Sequence, residues 1–192
     1  MYRSVKRIID PAAALFLLLL LSPFLLLLAC ITLLTSKGSI IYKQERIGYN
    51  GIPFMIYKFR SMYVNAELNG PSLSYEKDPR ITSWGRIMRK WKLDELPQLW
   101  NILKGDMSFV GPRPERKFYI DQLTKNTAYY RLLTMRPGLS SWGMVQFGYA
   151  SSVEAMKERM QYDLLYVEKA SFFFDAKVLW YTLLIILSGK SK

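Results

Sequence analysis

The sequence predicts a mixed α+β protein held at a membrane surface. The reading rests on an uncharged apolar run broken near its middle, a short pair of extended segments around a turn, and basic or aromatic helical segments beyond them. The arrangement expected is monotopic: an N-terminal re-entrant helix broken at Ser22-Pro23, a small β-hairpin, and interfacial amphipathic helices around a compact cytosolic domain. Residues 1-36 form the anchor and residues 37-192 the membrane-associated domain.

The anchor comes first. Within 192 residues that are 51% hydrophobic and 15% aromatic, the apolar excess is concentrated from Pro11 to Ser36, where no residue is charged. At about 1.5 Å rise per residue, a helix of that length reaches across a hydrocarbon core of roughly 30 Å. Proline removes a backbone donor and clashes with the preceding turn, so Pro23 predicts a break, with the Ser22 hydroxyl available to a freed carbonyl. Arg3, Lys6 and Arg7 precede the run and Lys37, Lys43 and Arg46 follow it. A spanning helix leaves its positive charge mainly on one side, so matched flanks suit a hairpin that enters and leaves by the same face. Two other readings stay open: a spanning helix with a kink, and a lipoprotein signal ending at Leu27-Leu28-Ala29-Cys30. Against the signal, apolar sequence continues through Leu34, and the segment before Cys30 exceeds the usual h-region. A single cysteine excludes an intrachain disulfide framework and is compatible with a reducing cytosol.

A net charge of +12 calls for an anionic partner or surface. No finger, basic zipper or RNA-binding signature is present, so lipid headgroups and phosphorylated substrates are favoured over nucleic acid.

Beyond the anchor, Ile40-Ile41-Tyr42 and Phe54-Met55-Ile56-Tyr57 flank the turn chemistry of Gly48-Tyr49-Asn50-Gly51, which predicts a hairpin. Asn65 to Pro79, with Gly70-Pro71 and Asp78-Pro79, reads as a loop. Thr82-Ser83 caps a helix with Ile87, Met88 and Trp91 on one face and Arg86, Arg89 and Lys90 on another, suited to a membrane surface. Pro97 either opens a helix that runs to Lys104 and stops at Gly105, or kinks a longer one. The run from Val178 to Leu187 is too short to span and reads as an interfacial or core helix, with Lys190 and Lys192 at its end.

The chain has no histidine, so proton transfer or nucleophilic attack near neutral pH falls to Asp, Glu, Lys, Tyr, Ser or Cys. Asp94 and Glu95 sit side by side just before Pro97 within a basic segment. An Asp-Glu pair alone is most often a solvated helix start. At a helix discontinuity, however, the two carboxylates become candidates to hold a divalent metal that bridges phosphate oxygens. Gly111-Pro112-Arg113-Pro114-Glu115 fixes a guanidinium between prolines, useful for bidentate phosphate binding and equally suited to a structural turn.

The ordered series Gln44-Glu45-Arg46-Ile47-Gly48, Lys58-Phe59-Arg60-Ser61-Met62, Asp78-Pro79-Arg80-Ile81-Thr82, Leu93-Asp94-Glu95-Leu96-Pro97-Gln98, Lys104-Gly105-Asp106-Met107-Ser108 and Gly111-Pro112-Arg113-Pro114-Glu115 resembles the bacterial sugar transferases, the monotopic phosphoglycosyl transferases. Each motif alone is weak; six in order are specific. The likeness extends from the anchor to Asp175-Ala176-Lys177. It implies an enzyme that transfers a phosphosugar from a UDP-sugar to polyprenyl (undecaprenyl) phosphate and releases UMP, at the first membrane step of polysaccharide, O-antigen, capsule or glycoprotein-glycan assembly. The same resemblance makes Asp94 the nucleophile of a covalent intermediate and Glu95 its charge and metal partner, with Mg²⁺ as cofactor. Lys58, Arg60 and Arg113 are the matched cations expected around phosphates. The implied location is the cytoplasmic face of a bacterial inner membrane, with homodimerisation left open. Larger relatives carry extra N-terminal membrane helices; a Met1 start followed at once by the anchor points to a minimal member.

One segment departs from the family pattern. After Arg136-Pro137-Gly138 the chain runs Leu139-Ser140-Ser141-Trp142-Gly143-Met144-Val145-Gln146, which marks either a different donor specificity or a different loop packing. Two competing classes stand beside the resemblance: a non-catalytic basic membrane-binding module, and a transferase that works without a covalent intermediate.

Overall fold

A computed structural model describes all residues except 1, 69, 71, 74, 76–77, 124–127 and 190–192. Helices α1 (Tyr2–Leu20) and α2 (Ser22–Thr35) meet at an angle of 66°. The break has the predicted cause. Pro23 stands in the first turn of α2, and the Ser22 hydroxyl donates to the Leu19 carbonyl at 2.8 Å. Neither helix alone is long and apolar enough to cross a membrane; α2, with 14 residues, rises only about 21 Å.

Strands β1 (Ile41–Ile47) and β2 (Pro53–Phe59) form the predicted antiparallel hairpin, with Ile41 opposite Phe59 and Ile47 opposite Pro53. The turn between them places Asn50 at φ 55 and Gly51 at φ 76, the left-handed conformations that Asn and Gly adopt at least cost. The polar stretch after Met62 is a series of turns closed by an isolated bridge between Met62 and Ile81; Pro71, half of the predicted Gly-Pro element, lies outside the described residues.

Helix α3 (Ser83–Lys90) starts where the sequence places it, with the Thr82 hydroxyl accepting from the Gly85 N–H at 2.9 Å. Its apolar residues do not share one face. Met88 is fully buried against Leu28 and Phe59, whereas Ile87 and Trp91 are about half exposed, because Met88 lies about 100° around the helix from Ile87. A Cβ on Gly85 would fall 1.9 Å from the Ser61 carbonyl, so glycine lets α3 press against the chain leaving β2. The backbone then turns through a left-handed Lys92 (φ 56) into one short 3₁₀ turn, Leu93–Glu95. Pro97 caps α4 (Gln98–Lys104), which ends at Gly105 with φ 83. Pro97 therefore opens a new helix rather than kinking a longer one.

The remainder contains β3 (Ser108–Val110), α5 (Lys117–Leu123), α6 (Tyr129–Leu132), β4 (Gly138–Ser140), α7 (Trp142–Gln146), α8 (Val153–Lys169) and α9 (Phe172–Leu187). The sequence did not announce the parallel pairing of β3 with β4. The largest core cluster joins α5, α6, α7 and α8 around the fully buried Tyr166, with Val178 of α9. Apart from Asp175 and Val178, α9 buries little: Phe173 is 82% exposed and Trp180 60%. Of the lysines expected at its end, Lys190 and Lys192 lie outside the described residues.

A buried polar cluster ties the first helix to the last. Lys6 donates to Asp175 at 2.7 Å and lies 3.1 Å from Asp10; Tyr2 and Tyr166 both donate to Asp175; the Ser108 hydroxyl donates to Asp10 at 2.5 Å. Lys6 therefore does not serve as an exposed flank of the anchor, and neither does Arg46, which lies in the wall of the main cavity.

Candidate active site

A cavity of about 830 Å³ opens among the hairpin, the turns after Met62, the 3₁₀ turn and the chain following β3. Its lining includes Lys58, Arg60, Asp94, Glu95 and Arg113, so the fold brings together every catalytic and phosphate-binding candidate that the sequence offered. Ser22 and Pro23 lie apart, at the break of the anchor.

Asp94 and Glu95 are held by the 3₁₀ turn and are both buried. Their environments differ. Lys58 reaches from β2 to donate to Glu95 Oε1 at 2.6 Å. Burial opposes charge on Glu95, but Lys58, Lys92 and Arg113, together with the Lys58 hydrogen bond, outweigh it and hold this carboxyl far below the usual carboxylate range. Asp94 moves the other way: burial pushes its carboxyl up and the adjacent Glu95 charge adds to the rise, against the pull of Lys58, Arg89 and Lys92. Asp94 Oδ1 is buried and has no hydrogen-bond partner. A buried carboxylate oxygen without a partner is costly, and functional sites are where such costs are found.

The three matched cations take separate tasks. Arg113 keeps its guanidinium mostly uncommitted: Nε is 4.0 Å from Glu115 Oε1, and the group stands 5.4 Å from the Tyr149 ring centre. Lys58 is bound to Glu95. Arg60 donates to the Ser36 carbonyl at 2.6 Å, to the Ser36 hydroxyl at 3.0 Å and to the Ser39 carbonyl. A phosphate would have to displace contacts that fasten the end of α2.

Several site residues escaped the sequence. Lys92 donates to the Tyr149 hydroxyl at 2.6 Å, which brings the segment after α7 over the carboxylates. Asp163 of α8 accepts from the backbone N–H of Gly143 at 2.8 Å and of Arg113 at 3.2 Å, fixing the position of the Arg113 backbone. Burial raises its carboxyl to about 6 despite these bonds and the nearby Arg159. Arg46 and Arg159 enclose Glu115, so the last residue of the Pro-Arg-Pro-Glu element is buried and paired. The divergent stretch 139–146 resolves into β4 and α7, where Ser141 caps the helix and Trp142 enters the core. None of its residues lines the cavity; Tyr149 and Ala150, just beyond it, do.

The donor set fits a magnesium ion in a limited way. Among the described residues no group of three or more metal-binding side chains converges, but Mg²⁺ sites use one or two carboxylates completed by substrate phosphates and water. Asp94 with its free oxygen, and Glu95 beside it, provide that number.

The cavity thus holds a buried carboxylate pair together with several cationic side chains. The chain belongs to the bacterial sugar transferase family, whose model matches residues 1–189. It is 38% identical over 98% of its length to the UDP-N-acetylgalactosamine-undecaprenyl-phosphate N-acetylgalactosaminephosphotransferase of Aeromonas hydrophila, covering 45% of that protein. It is 37% identical over 94% of its length to the UDP-glucose:undecaprenyl-phosphate glucose-1-phosphate transferase of Escherichia coli K12, covering 39% of it. The chain thus spans less than half the length of these two relatives. An uncharacterised sugar transferase of Bacillus subtilis, EpsL, is 38% identical over 95% of the chain, which covers 87% of that protein.

Proposed function

We propose that the chain transfers a sugar 1-phosphate from a UDP-sugar to polyprenyl phosphate at the cytoplasmic face of a bacterial inner membrane, through a covalent phosphosugar on Asp94. The observation that carries this reading is the contrast within the carboxylate pair: Glu95 is pinned to Lys58, while Asp94 leaves one buried oxygen without a partner. In the first step the Asp94 carboxylate attacks the sugar-bearing phosphorus. The bond to the uridine-bearing phosphate breaks and UMP leaves with that electron pair. In the second, an oxygen of polyprenyl phosphate attacks the same phosphorus and the bond to Asp94 breaks, which restores the carboxylate and yields polyprenyl-diphosphate-sugar. Dividing the transfer lets one cavity serve a soluble and a lipid substrate in turn. Raised basicity makes Asp94 the better nucleophile of the pair once ionised. Lys58 and Arg113 neutralise phosphate charge that would otherwise repel it. Asp94 and Glu95 would hold Mg²⁺, which when bound adds Lewis-acid neutralisation of the phosphates.

The anchor is read as re-entrant because both of its ends are fastened to one domain: Tyr2 and Lys6 to Asp175, and Ser36 to Arg60. The helices are broken at 66° between these fastened ends, and on this reading both ends lie on the same side. Cysteines introduced at Ser4 and Ser39 should be equally shielded in intact spheroplasts; labelling of one alone would indicate a spanning helix. The activity is tested by screening UDP-sugars for UMP release. Release that rises with polyprenyl phosphate and stops on metal chelation supports the reading, and no release with any UDP-sugar contradicts it.

A further inference from the structure

The main cavity holds a second polar cluster, which the two transfer steps do not use. Tyr42 and Gln44 of β1, Glu67 in the turns after Met62 and Arg116 just before α5 all line its wall. Arg116 donates to Glu67 through both terminal nitrogens, at 2.7 Å to Oε1 and 3.3 Å to Oε2. The Tyr42 hydroxyl donates to Oε2 at 3.4 Å and accepts from the Gln44 amide at 2.7 Å. A carboxylate accepts about four hydrogen bonds. Among the described residues Oε1 takes one, and both bonds to Oε2 are long, so each oxygen has room for a further donor. The cluster is open to the cavity: the Glu67 side chain is 32% exposed and Tyr42 38%.

Charge and hydrogen-bonding capacity decide what this cluster accepts. Lys58, Lys92 and Arg113 act together on Glu95, whereas here Arg116 is matched by Glu67, a carboxylate that would repel a phosphate. Arg46, next in line through Gln44, is matched by Glu115. A polyprenyl chain fits no better, because it would bury Glu67, Arg116 and Tyr42 against groups that cannot hydrogen-bond. The edge of a uracil presents one N–H between two carbonyls, and carbonyls do not donate to a carboxylate. Vicinal hydroxyls do. Two adjacent O–H donors match the two oxygens of Glu67, and Arg116 is placed to donate back to the hydroxyl oxygens. We propose that Glu67, held by Arg116 and Tyr42, takes a vicinal diol of the nucleotide-sugar donor and so discriminates among donors. A pyranose and a ribose both offer such a diol. The inference rests on the transferase reading and deepens it by naming a residue that selects the donor; it does not depend on which carboxylate is the nucleophile.

The test crosses enzyme variants with donor analogues. The preferred UDP-sugar is compared with analogues that each lack one hydroxyl, on the pyranose or at ribose C2′ or C3′, and kcat/KM for UMP release is measured on the full chain with polyprenyl phosphate in nanodiscs. The wild type should reject analogues that lack either hydroxyl of one diol by on the order of 10- to 100-fold, as for loss of a hydrogen bond to a charged group. Glu67→Gln should lower kcat/KM for the intact donor by a similar factor yet treat it and those analogues alike within about threefold, since a hydroxyl whose partner is gone has little left to lose. Tyr42→Phe removes the hydroxyl beside Glu67 and should show the same trend more weakly; it carries the test if Glu67→Gln does not fold. Loss of discrimination among the pyranose analogues makes the sugar the source of the diol, and loss among the ribose analogues makes it the nucleoside; either supports the site. Unchanged ratios among donors in both variants, whatever the absolute rates, would reduce Glu67 to a fastener of the turns and overturn the proposal. No UMP release by the wild type with any UDP-sugar would instead overturn the transferase reading, and the donor site with it.

Discussion

The molecule contains two buried ionic clusters that handle charge in opposite ways. Beneath the anchor, Lys6, Asp10, Asp175, Tyr2, Tyr166 and Ser108 satisfy one another. At the 3₁₀ turn, Glu95 is satisfied by Lys58 but Asp94 retains a buried oxygen with no partner. A closed network fixes geometry, because every group lost leaves another uncompensated. An open one stores unfavourable desolvation that a ligand can relieve. The contrast separates the part of the fold that holds α1 in place from the part to which we assign the chemistry.

The largest expected effect is on the open cluster. Asp94→Asn keeps shape but removes the attacking oxyanion, so UMP release should fall by about 10⁴-fold or more, measured under saturating donor. Glu95→Gln leaves the nucleophile and should retain slow turnover; equal loss in both variants would erase the distinction between the carboxylates. In the closed cluster, Lys6→Met strands Asp10 and Asp175 and should cost about 3–5 kcal/mol in thermal or denaturant unfolding. A loss below about 1 kcal/mol would show that this cluster is not the lock described.

The pH dependence of Asp163 is next. Its carboxyl rises from 3.8 to about 6 on folding, so it favours the fold only while protonated. That contribution is full below about pH 4 and is lost as pH rises through about 6, on the order of 3 kcal/mol. Asp163→Asn has no such titration, so the stability difference between wild type and variant should move in the variant's favour across this window. A difference that stays constant would mean Asp163 remains ionised throughout. The smallest effect falls on Arg113→Lys, which keeps charge but loses the planar fork and should cost about 1–3 kcal/mol in transition-state binding, read from kcat/KM.

Much of the fold was legible because its signals are local. Ser22-Pro23 gave the break, the Asn50-Gly51 turn gave the hairpin, Thr82 gave the start of α3 and Gly105 the end of α4. The pairing of β3 with β4 was not legible, since it joins two three-residue segments distant in sequence. The candidate residues that the sequence offered line one cavity, but their separate contacts were not legible. Lys58, Arg60 and Arg113 look alike in sequence; only the contacts show that Arg60 fastens Ser36 and Ser39 while Arg113 stays open to the cavity. Lys6 and Asp10 carried an overlooked signal. A lysine and an aspartate one helical turn apart, at the threshold of an uncharged run, pair with each other, and a buried Asp10 needs such a partner.

The central claim is that Asp94, and not Glu95, carries the phosphosugar between donor and acceptor. Intact-protein mass spectrometry after mixing with a reactive UDP-sugar in the absence of polyprenyl phosphate, followed by peptide mapping, tests it directly. The account predicts a mass increase of one phosphosugar on the peptide containing Asp94, localised to that residue and discharged when polyprenyl phosphate is added. An adduct on Glu95, or full turnover with no adduct under any trapping condition, would contradict it.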